Sequence, residues 1–278
     1  MKALTGKTAV VTGAGSGIGR ALAGRFVRDG MRVLLADVDR DALDAAVRDL
    51  GPSAISQVTD VSDPRAVHEL AERAFAELGA VHVLCNNAGV AGNSPLPIWE
   101  IPLETWRWVV DVNLMGIVHG LRAFVPRMLA TGDEGHIVNT ASLAGLLAFP
   151  NGGPYPASKH AAVVVTETLA LQLAQLGAPI GVSVLCPAWV DTRILDDERN
   201  RPERLRVDSP TLPPAVRDEL AGAMAATGLD PAAVADDVVD AILSGRFYVL
   251  SNAEWTPAVG ERAARIMAGG PISPPPPP

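Results

Sequence analysis

Cysteine, tyrosine and lysine are all scarce in this chain, and each scarcity narrows what it can be. Two cysteines in 278 residues are too few for a disulfide scaffold or a cysteine-built metal centre. Cys85 and Cys186 each end an apolar, strand-like run, so both read as buried thiols, which suits a reducing cytoplasm. Basic residues are outnumbered by acidic ones, and the net charge of −8 argues against a nucleic-acid partner or an anionic membrane surface. Long apolar runs are also missing. The first, Ala9–Val11, is far too short for a signal peptide, and no unbroken apolar stretch reaches bilayer length, so a cytoplasmic protein with no membrane partner is expected. His68, His82, His119, His136 and His160 show no ligand spacing, so no metal site is expected.

What the chain has is a substantial apolar fraction, 48%, arranged in alternating strand-like and helix-like segments. Strands are predicted at Thr8–Val11, Arg32–Ala36, Ala54–Val58, Val81–Cys85, Ile137–Thr140, Ile180–Cys186 and Phe247–Leu250. Helices are predicted at Ile18–Arg28, Arg40–Leu50, Pro64–Leu78, Leu103–Leu129, from Tyr155 through Leu176, Ala215–Ala226, Asp230–Leu243 and Trp255–Met267. Strand–helix–strand repetition demands right-handed crossovers and a parallel sheet covered on both faces. The expected fold is α/β: a doubly wound, Rossmann-like parallel sheet in a single domain, 1–270. The proline-rich end, 271–278, reads as a disordered or polyproline II tail.

Ligands of such sheets bind at the carboxyl ends of the strands, and the chemically informative stretches fall there. After the first strand comes T-G-A-G-S-G-I-G, with Gly13, Gly17 and Gly19. Glycines let a backbone turn sharply and approach a pyrophosphate, which the following helix N-terminus favours. Asp37 ends the second strand, where an acidic residue accepts both hydroxyls of an adenosine ribose and repels a 2′-phosphate. A solvated turn aspartate is the plainer alternative, with Asp39 and Asp41 beside it. Ser16 is neutral, which favours NAD, while Arg20 and Arg40 are placed to swing toward a 2′-phosphate.

The densest cluster runs from Ile137 to Lys159. Tyr155 and Lys159, four residues apart, share one helical face, so the ammonium can sit beside the phenol. Only about one free tyrosine in a thousand is phenolate at neutral pH. A neighbouring cation is expected to lower its pKa by about 1–3 units and make it a general acid or base. Ser142 is placed to hydrogen-bond the oxygen on which that proton comes and goes. In a chain where arginine is the default cation, a lysine here suggests a need for a compact, titratable ammonium. Taken alone, a Y-x-x-x-K is more often a surface pair at a helix start.

Together, T-G-x-x-x-G-x-G, N-N-A-G, Ser142 and a Y-x-x-x-K thirteen residues beyond it resemble the short-chain dehydrogenase/reductase family, over roughly residues 5–192. The resemblance implies that Gly13, Ser16, Gly17, Ile18 and Gly19 hold a pyrophosphate. Asp37 and Val38 would meet the adenosine ribose, and Asp60 and Val61 the adenine. Asn87, Ala88 and Gly89 would line the cofactor floor, and Pro187, Val190 and Thr192 would hold the nicotinamide amide. Ser142, Tyr155 and Lys159 would be catalytic, the last two also touching cofactor, with Asn113 holding a water that links Lys159 to solvent. Taken without the family, Asn113 reads as a helix-interior asparagine bonded to a carbonyl. One departure stands out: the family's usual P-G is Pro187-Ala188 here, followed by Trp189.

The resulting expectation is an NAD-dependent oxidoreductase of secondary alcohols and ketones, with an NADPH-dependent ketoreductase as the alternative. A nucleotide-binding regulatory protein without turnover is the more distant one. A homo-oligomer, tetramer or dimer, is expected from the apolar helices Leu103–Leu129 and Ala161–Leu176, which family members pair between subunits. The segment 193–227 is expected to be a substrate lid. Its charges, Asp196, Asp197, Glu198, Arg199, Arg201, Glu203, Arg204 and Arg206, are expected to face water while Ile194, Leu195, Leu205 and Val207 close over substrate.

Overall fold

In the computed structural model, which describes residues 1–150, 153–208 and 212–275, seven parallel strands form one sheet in the order β3-β2-β1-β4-β5-β6-β7. They are β1 (Thr8–Thr12), β2 (Arg32–Asp37), β3 (Ala54–Val58), β4 (Val83–Asn86), β5 (Gly135–Thr140), β6 (Ile180–Leu185) and β7 (Tyr248–Val249). Helices α1 (Gly17–Arg28), α2 (Arg40–Leu50), α3 (Pro64–Leu78), α4 (Leu103–Val110), α5 (Gly116–Thr131), α6 (Pro154–Gln175), α7 (Pro214–Thr227), α8 (Pro231–Ser244) and α9 (Thr256–Met267) complete the regular structure. Strand order reverses between β1 and β4, which opens a crevice at their carboxyl ends.

Side chains on a strand alternate between faces, and this divides the core in two. Ala9 and Val11 of β1, Val33 and Leu35 of β2, and Val83 and Cys85 of β4 pack with Leu22 and Phe26 of α1 and Val238 and Ile242 of α8. The intervening Val10, Leu34 and Leu84 pack on the other face, with Leu70 of α3, Phe124 of α5 and Leu173 of α6. Three helices, α2, α3 and α8, start where a side chain caps them. Asp39, Asp63 and Asp230 accept from Ala42, Arg65 and Ala232 N–H groups, with Pro64 and Pro231 at first helical positions that need no donor.

The predicted single helix Leu103–Leu129 is interrupted. Between α4 and α5 lies a π-helical turn, Asp111–Met115, that widens the helix around Asn113. The physical reason is the side chain: Asn113 is fully buried and braces the chain at Val90 instead of lying along the helix. Although the sequence shows no unbroken apolar run of bilayer length, Leu103–Thr131 as a whole is long and apolar enough on average to span one. Its apolar residues Trp108, Ile117, Phe124 and Met128 are buried against the protein. The fourth strand starts two residues later than predicted and the last is shorter, Tyr248–Val249. Residues 271–275 are exposed and without regular structure, and the rest of the predicted tail, 276–278, lies outside the described residues.

A buried polar chain crosses the second core. Asn86 donates to Asn139 at 2.8 Å, Asn139 to Thr166 at 3.0 Å, and Thr166 to the Ala162 carbonyl at 2.6 Å. It locks β4, β5 and α6 in one register, since an unpaired member in this setting would be costly. Gly120 makes room for it: a Cβ there would stand 2.1 Å from Asn86 Oδ1.

Candidate active site

At the carboxyl edge of the sheet, one cavity runs from Asp37 to Tyr155. Its lining includes Gly13, Ser16, Gly17, Ile18, Val38, Asp60, Val61, Asn87, Ala88, Gly89, Lys159, Pro187, Val190 and Thr192. Of the predicted site residues, Gly19, Asn113 and Ser142 stand behind that surface.

The glycine turn fits a dinucleotide phosphate on structural grounds. Ser16 precedes α1 without capping it through its side chain, so the first N–H groups of the helix are left for an anion. The turn has no room for side chains: a Cβ on Gly19 would lie 2.1 Å from the Gly13 carbonyl oxygen. Gly17 takes a left-handed φ of +51° and packs against Thr192. At the other rim, Asp37 Oδ2 accepts from Gly15 N–H at 2.9 Å and Oδ1 from Asp39 N–H at 3.1 Å, which fixes the carboxylate. Arg20 is paired with Asp49, and Asp60 accepts from Ser62.

The cavity floor is stapled by side chains. Thr12 Oγ1 accepts from the N–H groups of Asn87 and Ala88, and Asn87 Nδ2 donates back to the Thr12 carbonyl at 3.0 Å. Thr140 Oγ1 donates to Asn87 Oδ1, and the Thr140 carbonyl accepts from Lys159 Nζ at 2.9 Å. Lys159 Nζ also stands 5.6 Å from the centre of the Tyr155 ring, so the four-residue spacing does bring cation and phenol together. Ser142 Oγ accepts from Ala144 N–H and donates to the Pro187 carbonyl at 3.3 Å. Asn113 has no free amide: Oδ1 accepts from Val90 N–H at 2.8 Å, and Nδ2 donates to the Val90 carbonyl and to Ser158 Oγ.

The lid departs from expectation. Its first part forms short 3₁₀ turns at Ile194–Asn200 and Glu203–Leu205, followed by α7. Two of the charges expected to face water are buried, Asp197 at 3% and Arg201 at 5% exposure. Asp197 Oδ2 accepts from the Ala91 and Gly92 N–H groups, both at 2.7 Å. Arg201 donates to Thr105 Oγ1 and the Leu205 carbonyl, pairs with Glu198, and lies 4.5 Å over the Trp108 ring. Nothing in the local sequence separates these two residues from the charged neighbours that are exposed. Leu205 packs beside Trp108 and Val109. Residues 209–211 of the lid lie outside the described residues.

The short-chain dehydrogenase family model matches residues 7–203. The chain belongs to that family. It is similar to the 1-deoxy-11-beta-hydroxypentalenate dehydrogenase of Streptomyces avermitilis, 40% identical over 92% of this chain and 88% of that one. It is 38% identical to the 2-dehydro-3-deoxy-L-rhamnonate dehydrogenase (NAD(+)) of a Sphingomonas species, over 69% of this chain and 75% of that one. Its structure resembles that of a short-chain dehydrogenase/reductase from Burkholderia phymatum in complex with NAD, with a TM-score of 0.94, 43% identity and full coverage of both chains.

This short-chain dehydrogenase accommodates its Pro187-Ala188 departure without strain. Ala188 N–H donates to Asn252 Oδ1 at 3.0 Å, and Ala188 packs against Leu143, Leu147 and Trp255. Every left-handed residue described is a glycine, so Ala188 needs no unusual backbone.

Burial, and not the neighbouring cation, sets the direction of the two reactive groups. The Tyr155 phenol is pushed up by loss of water, pulled back by hydrogen bonding to Ser142, and raised again by Asp197. The sequence-based expectation of a lowered phenol is therefore overturned in the protein alone. Burial lowers Lys159 to about 8. His160 Nδ1 donates to the Pro156 carbonyl at 2.9 Å and takes no part in this cluster.

The Lys159 value carries a stability consequence. Below about 8 the ammonium is charged in both folded and unfolded chains, and the folded state bears the full cost of burying it. From there to the ordinary lysine pKa of roughly 10.4, the unfolded chain holds the proton that the folded one has lost, so this group makes stability rise with pH. Lys159→Met removes that dependence. In urea denaturation, its stability relative to wild type should decline steadily as pH rises from about 7 to about 10. A difference that stays flat across that range would show that the lysine is not desolvated.

Proposed function

We propose that this short-chain dehydrogenase, an oxidoreductase acting on hydroxyl and keto groups, oxidises a secondary alcohol with NAD, and reduces the ketone in reverse, using Tyr155, Lys159 and Ser142 for the proton. The observation that carries this reading is one cavity with the fixed Asp37 carboxylate at one end and Tyr155 beside Lys159 at the other. When bound across it, NAD supplies the acceptor for the hydride.

The proton chemistry belongs to the chain. Tyr155 takes the hydroxyl proton of the alcohol while Ser142 hydrogen-bonds the same oxygen. Lys159, held by the Thr140 carbonyl, keeps its cation beside the ring and favours the phenolate. Asn113, its amide braced by Val90 and Ser158, would hold a water that links Lys159 to solvent. Tyr155→Phe should bind NAD nearly as wild type while kcat falls by about 10²–10⁴-fold, the usual worth of a general base. A kcat above about a tenth of wild type would assign the proton to another group.

Support for NAD over NADP comes from Asp37 and from neutral Ser16, while Arg20 pairs with Asp49 at the surface. A related dehydrogenase named for NAD(+) and a related structure in complex with NAD agree with it. A charged hydrogen bond is worth about 1.5–3 kcal/mol, so kcat/KM for NAD should exceed that for NADP by at least about tenfold. Equal or better kinetics with NADP would overturn the preference.

We further propose a homo-oligomer, a tetramer by preference. Val164 and Leu171 on α6 and Leu103 on α4 leave apolar surface exposed on the helices expected to pair. Light scattering at micromolar concentration should give a multiple of the 29.0 kDa chain mass, and a monomer would sink the proposal.

A further inference from the structure

Asp197 has one carboxylate oxygen that the fold uses and one that it does not. Oδ2 is cradled by the Ala91 and Gly92 N–H groups. That cradle is stiff, because Gly92 is left-handed at φ +60° and packs so closely on α4 that a Cβ would stand 2.2 Å from a Val109 methyl. Oδ1 is buried and has no hydrogen-bond partner among the described residues. Arg201, the nearest cation of the lid, does not fill this role: its hydrogen bonds go to Thr105 and Leu205, and its ion pair to Glu198. Asp197 nevertheless lines the same cavity as Tyr155 and Lys159, among the apolar groups Val90, Trp108 and Met224.

A buried acceptor without a donor is rare, and at the edge of this cavity it is a place where a donor from a ligand fits. We propose that Asp197 is a specificity-determining residue of the reaction proposed above, its free oxygen accepting a hydrogen bond from a second hydroxyl on the substrate. The preferred substrates are then secondary alcohols, or the corresponding ketones, that carry such a hydroxyl. A hydroxyl suits the cavity better than an ammonium, because Lys159, Arg193 and Arg199 also line it. A carboxylate in that place would meet the charge of Asp197 itself.

The inference rests on the secondary-alcohol reading, and one experiment separates their failures. Initial rates of NADH formation at saturating NAD are compared for cyclohexanol and the cyclohexanediols, with wild type, Asp197→Asn and Asp197→Ala. Sites built to bind a substrate hydroxyl discriminate strongly against the analogue that lacks it, so wild-type kcat/KM should favour the best diol by at least about tenfold. Asp197→Asn keeps an acceptor for the Ala91 and Gly92 cradle but replaces the free oxygen's charge, and the diol-to-alcohol ratio should fall severalfold. In Asp197→Ala the ratio should approach one, whatever the absolute rates. If either variant does not fold, by thermal melting and NAD titration, the wild-type ratio still decides. A wild-type ratio within about threefold of one, or a ratio that survives both substitutions, overturns the inference alone. Turnover of neither substrate class with NAD binding intact overturns the secondary-alcohol reading and the inference together.

Discussion

A run of hydrogen bonds from Thr12 through Asn87 and Thr140 to Lys159 ties the ends of β1, β4 and β5 to the amine beside Tyr155. All but the last link join residues at or just past strand ends, where backbone groups have left the ladder and need partners, and the last reaches Lys159 on α6. The same bonds therefore do two things. They hold the crevice at the point where strand order reverses, and they fix the lysine that accompanies the reactive phenol. Behind them, the Asn86–Asn139–Thr166 chain holds β4, β5 and α6 in register, so the floor cannot shift without exposing buried polar groups.

Desolvation is the second constraint, and it runs against the chemistry. A phenol packed into a cavity wall resists ionising and a buried ammonium resists its charge, which is how Tyr155 is raised while Lys159 falls to about 8. The pair is thus poised by its surroundings as much as by its spacing. Asp197 adds to this, since its carboxyl raises the phenol and is itself pushed up by burial against the pull of the Gly92, Ala91 and its own N–H groups and of Arg201. Burying Asp197 and Arg201 carries a desolvation cost that their hydrogen bonds must offset. What the lid gains is fixed attachment to the loop at Ala91 and Gly92 and to Thr105 and Trp108.

The sequence alone determined the order of strands and helices, the parallel sheet, the glycine turn before α1 and the Tyr155–Lys159 pairing. Most of these rest on local signals: alternation of period two, helical period, caps and four-residue spacing act within one segment, and the strand–helix order then calls for a parallel sheet. Only the tertiary structure decided the π turn at Asn113, the commitment of Arg20 to Asp49 and the directions in which Tyr155 and Lys159 are shifted. It also decided that Asp197 and Arg201, alone among a run of similar charges, turn inward. Those outcomes depend on partners far away in the chain, Val90 for Asn113, Ala91 and Gly92 for Asp197 and Thr105 for Arg201, and burial arises only when such segments meet.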